Sequence, residues 1–440
     1  MIIFSENITP RLQYTLDYIF KHRFKTDYTL ISDLNIIEKS ENVINYSNKV
    51  IPNALQIVPC GLLFADNISK HSYPDLSFID NIPVIFKTGG SFPFDIFSSV
   101  FWFLSRYEEY LEFKPDSHSR FPATESFAYK NNILNRPIVD EQLIYFKTFL
   151  KKYFPETNLH NNTFKAITTI DVDSPWCYKN KGFLRNVAGF VRDILKGKIN
   201  DAEFRLQVLL NKKPDPWYNF HSLTDLYKNT GIELKFFIHT GNYGKYDKSV
   251  SYKTQAFKNF VEYVTSKADI GLHPSYQAAT DINILKEEKN RLEELSGKKI
   301  TASRQHFLVF SVPEYYRMLI KAGITADYSM GFADRAGFRA GTSMPFYFFD
   351  LQKNKPTELM IHPFAVMDRT LNSYRNNSPQ QAYESILLLI ENTLKVNGNF
   401  VSLWHNESLS EMFEWKGWFS VFQKITSTLV NLQSSNNKQQ

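Results

Sequence analysis

The 440-residue chain is 43% hydrophobic and 22% charged, which is typical of a globular protein of two or three domains and excludes a disordered chain. Its formal charge of +6 comes from scattered lysines, so we expect no nucleic-acid partner. Two cysteines, Cys60 and Cys177, exclude a disulfide scaffold and a cysteine zinc cluster, and fit a reducing compartment. Because neither a signal-peptide pattern nor a long apolar run occurs, we expect a cytoplasmic protein without a membrane span.

The first 158 residues are predicted to form a smaller α/β domain of unknown role. Thr9 is a good N-cap and Pro10 suits the first position of the helix that follows. Asp95 is placed to open a second, strongly apolar helix. The predicted elements are helices at 8–24, 94–113 and 139–154, a strand at 82–87, and a linker at 154–163.

From residue 159 to residue 432, short strands alternate with helices. This pattern is typical of parallel strands joined by helical crossovers, and it predicts a distorted (β/α) barrel of about seven strands. The polar residues 433–440 are expected to form a frayed tail. The predicted strands are 166–172, 234–240, 268–273, 299–306, 324–329, 358–364 and 399–405, and the helices are 184–195, 254–267, 282–295, 312–323, 379–395 and a last one after 411.

Two aspartates end the first of these strands. Side chains at positions i and i+2 of a strand share a face, so Asp171 and Asp173 point together. Two like charges on one face raise one carboxyl pKa unless a cation lies between them. A metal and a general base would account for the pair. The alternative is a solvated strand end, with turn-forming aspartates before Ser174 and Pro175.

Other polar side chains end strands that a barrel would bring to the same rim. Barrel chemistry lies where parallel strands end at their carboxyl side, so these side chains are expected to converge. A lone histidine at such a place is more often a structural hydrogen-bonding residue, which is our interpretation of His239. Several together favour an active site, and these are His273, Arg304, His306 and His405.

Further residues near these ends are candidates for contacts with a substrate. The glycine-rich segment 331–343 lacks a phosphate-binding signature, so it is interpreted as a loop on the substrate side. Aromatic rings beside the strand ends are candidates for stacking on sugars. The substrate-binding candidates are Trp176, Asp334, Arg339, Trp404 and Asn406.

The N-terminal part contains one polar cluster of its own. Residues 103–122 hold Arg106, Asp116, His118 and Arg120 close together in sequence. A grip on substrate is possible there, but packing between domains is favoured because the apolar helix before the cluster needs a surface to cover.

Taken in order, the motifs of the second part resemble the polysaccharide deacetylase superfamily (NodB homology, carbohydrate esterase family 4) over about residues 164–430. The set more specifically resembles a Bacteroidetes-type branch, in which an uncharacterised N-terminal domain precedes the barrel. The motifs are TIDVDSPW, GLHPSY, RQHF, DYSMGFADRAGFRAGT, VMDRTL and LWHN.

The resemblance implies a role for each motif residue. Asp171 would be the general base, oriented by Arg304, and His405 would be the general acid. Asp173 and His273 would be ligands of a divalent metal, which is expected to be zinc.

One position departs from the family pattern. Gln277 stands where the family has its second metal-binding histidine, and helix-like i, i+4 spacing would let it face the same site as His273. A glutamine amide is a poor zinc ligand. His306 or His405 could therefore supply the third ligand; otherwise the metal is held weakly or is absent.

The expected activity is metal-assisted hydrolysis of a non-peptide C–N bond, the N-acetyl amide of a sugar or polysaccharide intermediate. Two alternatives stay open. One is a degenerate carbohydrate-binding or scaffold protein of a surface-polysaccharide pathway, which Gln277 favours. The other is a hydrolase of a different non-peptide C–N bond. The expected partner is an acetylated sugar or glycan intermediate, and the sequence indicates no particular oligomeric state.

Overall fold

The computed structural model describes residues 1–39, 42–70 and 73–437. In the N-terminal part, four short strands form a parallel sheet in the order β2-β1-β3-β4, and a separate hairpin pairs β5 with β6. The strands are β1 (Ile2–Phe4), β2 (Thr29–Ile31), β3 (Val43–Asn45), β4 (Leu55–Gln56), β5 (Ser77–Ile79) and β6 (Ile82–Val84), and the helices are α1 (Pro10–Leu16), α2 (Ile96–Leu104), α3 (Phe127–Lys130) and α4 (Ile138–Tyr153).

The predicted caps explain where the first helices begin. The Thr9 side chain accepts a hydrogen bond from the backbone N–H of Leu12, and α1 continues into a π-helical turn as far as Arg23. The Asp95 carboxylate likewise accepts from the N–H of Ser98 at the start of α2. This helix ends at Leu104, earlier than predicted, because Arg106 adopts a left-handed backbone with φ of 53°.

The second part is built on one nine-stranded sheet, in the order β12-β13-β11-β10-β9-β8-β7-β15-β14. All neighbours pair in parallel except β12, which is antiparallel to β13 at one edge. The strands are β7 (Lys165–Val172), β8 (Glu233–Ile238), β9 (Asp269–Leu272), β10 (Ala302–Ser303), β11 (Ala326–Asp327), β12 (Phe346–Asp350), β13 (Lys355–Ile361), β14 (Val366–Met367) and β15 (Asn399–His405).

The seven strands predicted for the second part all occur and lie side by side, but a closed barrel of about seven strands is not shown. The described ladders form an open run that ends at β12 and β14. Residues 355–367 nevertheless reach both sides of this run, since the N–H of His362 donates to Asp327 O at 2.8 Å and that of Ala365 to Val401 O at 2.9 Å. The carboxyl ends of the strands therefore face a common space.

Helices cover the sheet, and buried apolar side chains from both parts of the chain form one continuous core. The last helix runs through the start of the predicted frayed tail, where Gln433 hydrogen-bonds Ala166 and Gly231; residues 438–440 lie outside the described residues. In the described chain, no helix is long and apolar enough to cross a membrane. The helices are α5 (Phe183–Leu195), α6 (Ile199–Leu209), α7 (Phe220–Tyr227), α8 (Gln255–Lys267), α9 (Ile282–Ser296), α10 (Glu314–Lys321), α11 (Pro379–Lys395) and α12 (Trp418–Asn437).

Candidate active site

A cavity of about 530 Å³ opens where the carboxyl ends of β7, β9, β10 and β15 meet. Parallel strands end on the same edge of a sheet, so residues far apart in sequence converge there. The ladder itself pairs His405 at the end of β15 with Asp171 on β7. The strand-end residues predicted from sequence that line this cavity are Asp171, Asp173, His273, His306 and His405.

Three of these residues form a candidate metal site. Asp173 Oδ1 lies 3.1 Å from His273 Nε2 and 3.4 Å from His306 Nε2. The ligand atoms of the three side chains all lie within 4.8 Å of one another. One carboxylate and two imidazoles are a donor set that zinc and related divalent metals accept. Of the two histidines that the sequence left open as the third ligand, the structure brings His306 to this position.

Hydrogen bonds behind the two histidines fix which nitrogen faces the site. His273 Nδ1 lies 2.6 Å from the carbonyl oxygen of Arg304, which can only accept a hydrogen bond, so Nδ1 donates. His306 Nδ1 likewise donates to Asp247 Oδ1 at 2.9 Å. Both rings therefore present Nε2 to Asp173, as metal-binding histidines with an oriented ring do.

Asp247 was not predicted from the sequence. It lies in the loop between β8 and α8, where a single aspartate among turn residues carries no recognisable spacing. Its carboxylate also accepts from the N–H of Tyr276 and lies 3.9 Å from His239 Nε2. His239 Nδ1 donates to the carbonyl oxygen of His273 at 3.0 Å, the structural role expected for it.

The charges in the candidate metal site depend on one another. Burial raises the pKa of Asp173, but the His306 ring and the hydrogen bond from His273 outweigh it and hold that pKa well below its usual range. Burial lowers the pKa of His306, but Asp173 and Asp247 outweigh it and raise the pKa to about 9. The Asp173 carboxylate therefore lies beside the positive charge of the His306 ring. A positive charge at this place is what we expected between the two like-charged carboxylates of Asp171 and Asp173.

The predicted base lies beside this group. Asp171 Oδ1 is 3.6 Å from the Arg304 guanidinium, and Asp171 Oδ2 is 3.8 Å from His273 Nε2. Arg304 is fully buried between the rings of Phe237 and Phe364, at 4.8 and 5.3 Å. This packing leaves the guanidinium little freedom, so it can hold the Asp171 carboxylate in one orientation.

The predicted acid, His405, is held by a carboxylate that the sequence did not assign. Asp368 accepts from the N–H of His405 at 2.7 Å and from its Nδ1 at 2.8 Å, and Ser408 donates to the same carboxylate. Burial lowers the pKa of His405, but Asp368 outweighs it and raises that pKa. Asp368 follows β14, so its position at a strand end was the signal that could have identified it.

Seven of the twelve predicted site residues do not line the cavity; Arg304 lies behind Asp171, and three others are Gln277, Trp176 and Trp404. Gln277 is exposed, because residues 273–276 are not helical and the i, i+4 argument does not apply. Trp176 is buried and stacks on Tyr218 at 5.4 Å. Trp404 lies on β15 between Leu403 and His405, which both line the cavity, so its own side chain points to the opposite face and packs against Phe422.

The other predicted substrate contacts have structural partners instead. Arg339 is buried and forms two hydrogen bonds with Glu109, at 2.9 and 2.7 Å. Asp334 accepts from the N–H of Ala123. Asn406 donates to the carbonyl oxygens of Ser174 and Trp217, both at 3.0 Å, and so ties two loops of the cavity wall together.

The cavity wall also contains residues outside the set predicted for the site, one of them from the N-terminal cluster, for which a grip on substrate was the less favoured interpretation. Arg120 comes from the N-terminal cluster; it pairs with Asp116 at 2.8 Å and donates to the carbonyl oxygen of Phe307 and to the hydroxyl of Tyr374. The N-terminal part therefore contributes the Arg120 side chain to the cavity lining. The remaining lining residues outside that set include Lys181, Trp217, Tyr246, Lys248, Phe307, Arg369, Tyr374 and Glu407.

Comparison with known proteins gives partial similarities. A family model described as a family of unknown function (DUF7033) matches residues 1–155. No curated protein matches the sequence.

Solved structures that resemble the chain include two described as candidate deacetylases and a pseudoenzyme of carbohydrate esterase family 4, at 9–11% identity. A candidate polysaccharide deacetylase from Mycobacterium smegmatis is 11% identical, with a TM-score of 0.40 over 64% of this chain and 92% of that one. A candidate glycoside hydrolase or deacetylase from Parabacteroides distasonis is 10% identical, with a TM-score of 0.36 over 63% and 68%. A pseudoenzyme of carbohydrate esterase family 4 from Bacillus anthracis is 9% identical, with a TM-score of 0.29 over 61% and 63%.

Proposed function

We propose that this chain catalyses the metal-assisted hydrolysis of an N-acetyl amide on a sugar or polysaccharide intermediate, as a deacetylase of the NodB-homology type. One observation carries the proposal. A possible base, Asp171 with Arg304, and a possible acid, His405 with Asp368, line the same cavity as the donor set of Asp173, His273 and His306. The N-terminal domain would make it a member of the Bacteroidetes-type branch.

The donor set fits a divalent metal. Asp173 supplies a carboxylate oxygen, and His273 and His306 supply nitrogens that their own hydrogen bonds orient towards it. Zinc is the expected metal because zinc sites use a small number of ligands, and carboxylate oxygens and imidazole nitrogens are among those it prefers. A metal bound there would polarise the acyl carbonyl and make a bound water more acidic.

The two flanking pairs supply the proton transfers. Asp171 takes a proton from water as the water oxygen bonds to the acyl carbon. His405, held in its protonated form by Asp368, donates a proton to the amine nitrogen as the C–N bond breaks. The products are acetate and a free amino sugar. The surroundings of His405 suit the role of acid, since the Asp368 carboxylate beside it favours its cationic form.

The alternative, a degenerate binding or scaffold protein, has less support from the structure than it had from the sequence. It depended on Gln277 as a defective ligand, whereas His306 offers a suitable third ligand from a different loop. A binding protein also has no need of an oriented acid and base.

Metal content and acetate release test the proposal together. We expect about one zinc, cobalt or nickel ion per chain by elemental analysis of protein purified without chelator. Asp173→Ala should lose both the metal and the release of acetate from N-acetylated sugars. Asp225→Ala, at an exposed position on α7, is the matched control and should keep both. A wild-type chain without metal, even after incubation with these ions, would favour the binding or scaffold alternative.

A further inference from the structure

Helices α5 and α6 carry their apolar side chains on the outside. On α5, Phe183 and Leu184 are 80% and 81% exposed and Leu195 is 81% exposed, whereas the buried residues are the polar Asn186 and Asp193. The exposed apolar residues of the two helices are Phe183, Leu184, Val187, Val191, Ile194, Leu195, Ile199, Leu206, Leu209 and Leu210. A helix that covers a sheet presents the opposite arrangement.

The exposed residues of α5 form one continuous face. At 3.6 residues per turn, positions 183, 184, 187, 191, 194 and 195 fall within an arc of about 120°. The helix is held with this face outward by its polar side, where Asp193 accepts from Arg205 of α6 at 3.1 and 2.6 Å. Gly189 lies against the same guanidinium, so a side chain there would clash with Arg205. The orientation is therefore built into the packing of the two helices.

The segment that carries this apolar face is rich in basic residues. Residues 179–215 contain nine lysines and arginines against four aspartates and glutamates, a net charge of +5 in a chain whose total is +6. The positive charge is thus concentrated here and not scattered over the sequence, as composition alone suggested. Two of the four acidic residues are buried and already bonded, Asp193 to Arg205 and Asp215 to the backbone N–H groups of residues 177–179.

We infer that the outer face of α5 and α6 binds the surface of an anionic lipid bilayer. A helix with an exposed apolar face and basic residues beside it lies in a membrane interface, with its apolar residues among the acyl chains and its lysines and arginines at the headgroups. An apolar patch of this extent is uncommon on a free protein surface. Its concentration of positive charge selects an anionic surface over a neutral one.

This surface adjoins the mouth of the cavity. Lys181, which lines the cavity, lies two residues before α5. Arg185 of α5 packs over Tyr243 at 4.3 Å and donates to the carbonyl oxygens of Lys248 and Ser249, and Lys248 lines the cavity too. A chain bound by α5 and α6 would therefore hold its cavity mouth close to the headgroups. Under the proposed function, a sugar carried by a lipid would reach Asp171 without leaving the membrane surface.

Vesicle sedimentation tests the inference on the full chain. We expect wild type to bind vesicles of phosphatidylcholine with phosphatidylglycerol, and to bind pure phosphatidylcholine vesicles at least about tenfold more weakly. Leu184→Glu combined with Leu195→Glu should weaken binding to the anionic vesicles at least about tenfold. Because both side chains are 81% exposed, these changes should leave the unfolding transition in place. Leu388→Glu, at an exposed apolar position on α11, is the matched control and should bind as wild type does.

Any of three results would overturn the inference, two from vesicle sedimentation and one from analytical ultracentrifugation. The first two are wild-type protein that stays in solution with anionic vesicles, and binding that the double variant does not change. The third is a dimer in analytical ultracentrifugation that the double variant dissociates, since the face would then be covered by a second copy. Vesicle binding needs no catalysis, so failure here is separate from failure to release acetate.

Discussion

At the residue scale, the Asp171 carboxylate has two charged or polar neighbours, Arg304 at 3.6 Å and His273 at 3.8 Å. We predict that Asp171→Asn lowers turnover by about 10²–10⁴-fold, because an amide cannot accept the proton of water. The amide has nearly the same shape as the carboxylate, so the circular dichroism spectrum should not change. Acetate release measures the effect, with Asp225→Asn as the matched control. Turnover within a few-fold of wild type would remove Asp171 from the role of base.

Asp368 acts on the reaction through His405. It raises the pKa of His405 above the ordinary value of 6.5, so the acid stays protonated to a higher pH. We predict that Asp368→Asn moves the alkaline limb of the pH profile of kcat/KM to lower pH, because the neutral amide no longer stabilises the imidazolium. Asp368→Glu keeps the negative charge, so its alkaline limb should lie between those of Asp368→Asn and wild type. An alkaline limb that is the same in Asp368→Asn would mean that His405 is not the acid.

The third metal ligand can be identified by a pair of variants. We predict that His306→Ala loses most of the bound metal, since it removes an imidazole that faces Asp173 at 3.4 Å. Gln277→Ala should keep the metal because Gln277 is exposed. Elemental analysis of both proteins after the same purification gives the answer. If metal were lost only in Gln277→Ala, the third ligand would be Gln277, at the position where the family motif has its second histidine.

At the element scale, the orientation of α5 depends on a buried ion pair. Asp193 and Arg205 are both about 8% exposed, and the guanidinium also packs over Tyr178 at 4.5 Å. Few apolar side chains join this helix pair to the rest of the chain: Cys177, Tyr178 and Val208 form a small cluster separate from the main core. The Asp193–Arg205 pair is therefore a main restraint on how α5 is oriented against α6.

We predict that Asp193→Ala loosens α5 and α6 without unfolding the sheet, because it leaves Arg205 buried without its partner. Hydrogen–deuterium exchange should become faster in peptides from residues 183–209 and stay slow in α8, which packs against the main core. Lys196→Ala, at an exposed position just after α5, is the control. Faster exchange throughout the chain would show that the helix pair is part of the global folding unit.

Sequence reasoning found many of the helices and strands, but not α6, α7 or the edge strand β12. The seven strands of the second part were predicted, and so were the helix starts at Thr9 and Asp95. The strands β1–β4 and β14 have only two or three residues, too few for a periodic signal. The pattern of α5 was recognised, but periodicity shows only that one face is apolar and not which way that face points.

The candidate site, too, was predictable only in part. Residues at strand ends, such as Asp173 and His273, could be placed together because parallel strands end on one edge. Asp247 and Arg120 could not, since each comes from a loop whose path depends on tertiary packing. Trp404 was placed in the site wrongly, because neighbours on a strand alternate between faces.

At the scale of the whole molecule, the N-terminal part and the large sheet are joined by buried polar contacts as well as by the shared core. Asp140 of α4 accepts from the N–H and hydroxyl of Ser343 at 2.7 and 2.8 Å, and from Thr342 at 2.9 Å. Arg106, whose segment was predicted to serve packing, donates to Glu109 at 2.7 Å and to the carbonyl oxygen of Arg339. The two parts should therefore unfold together.

Glu109 tests this directly because it links both parts. It is buried between Arg106 of the N-terminal part and Arg339 of the loop after β11, and these two guanidinium groups outweigh burial and lower its pKa. We predict that Glu109→Gln lowers the free energy of unfolding by about 3–5 kcal/mol, since it leaves the buried Arg339 without its ion-pair partner and Arg106 with Glu108 alone. Urea unfolding followed by tryptophan fluorescence and by far-ultraviolet circular dichroism should show one transition, shifted as a whole. Glu112→Gln, at an exposed position nearby, should leave the midpoint unchanged. Two separate transitions in the Glu109 variant, with only one of them shifted, would show that the two parts fold independently.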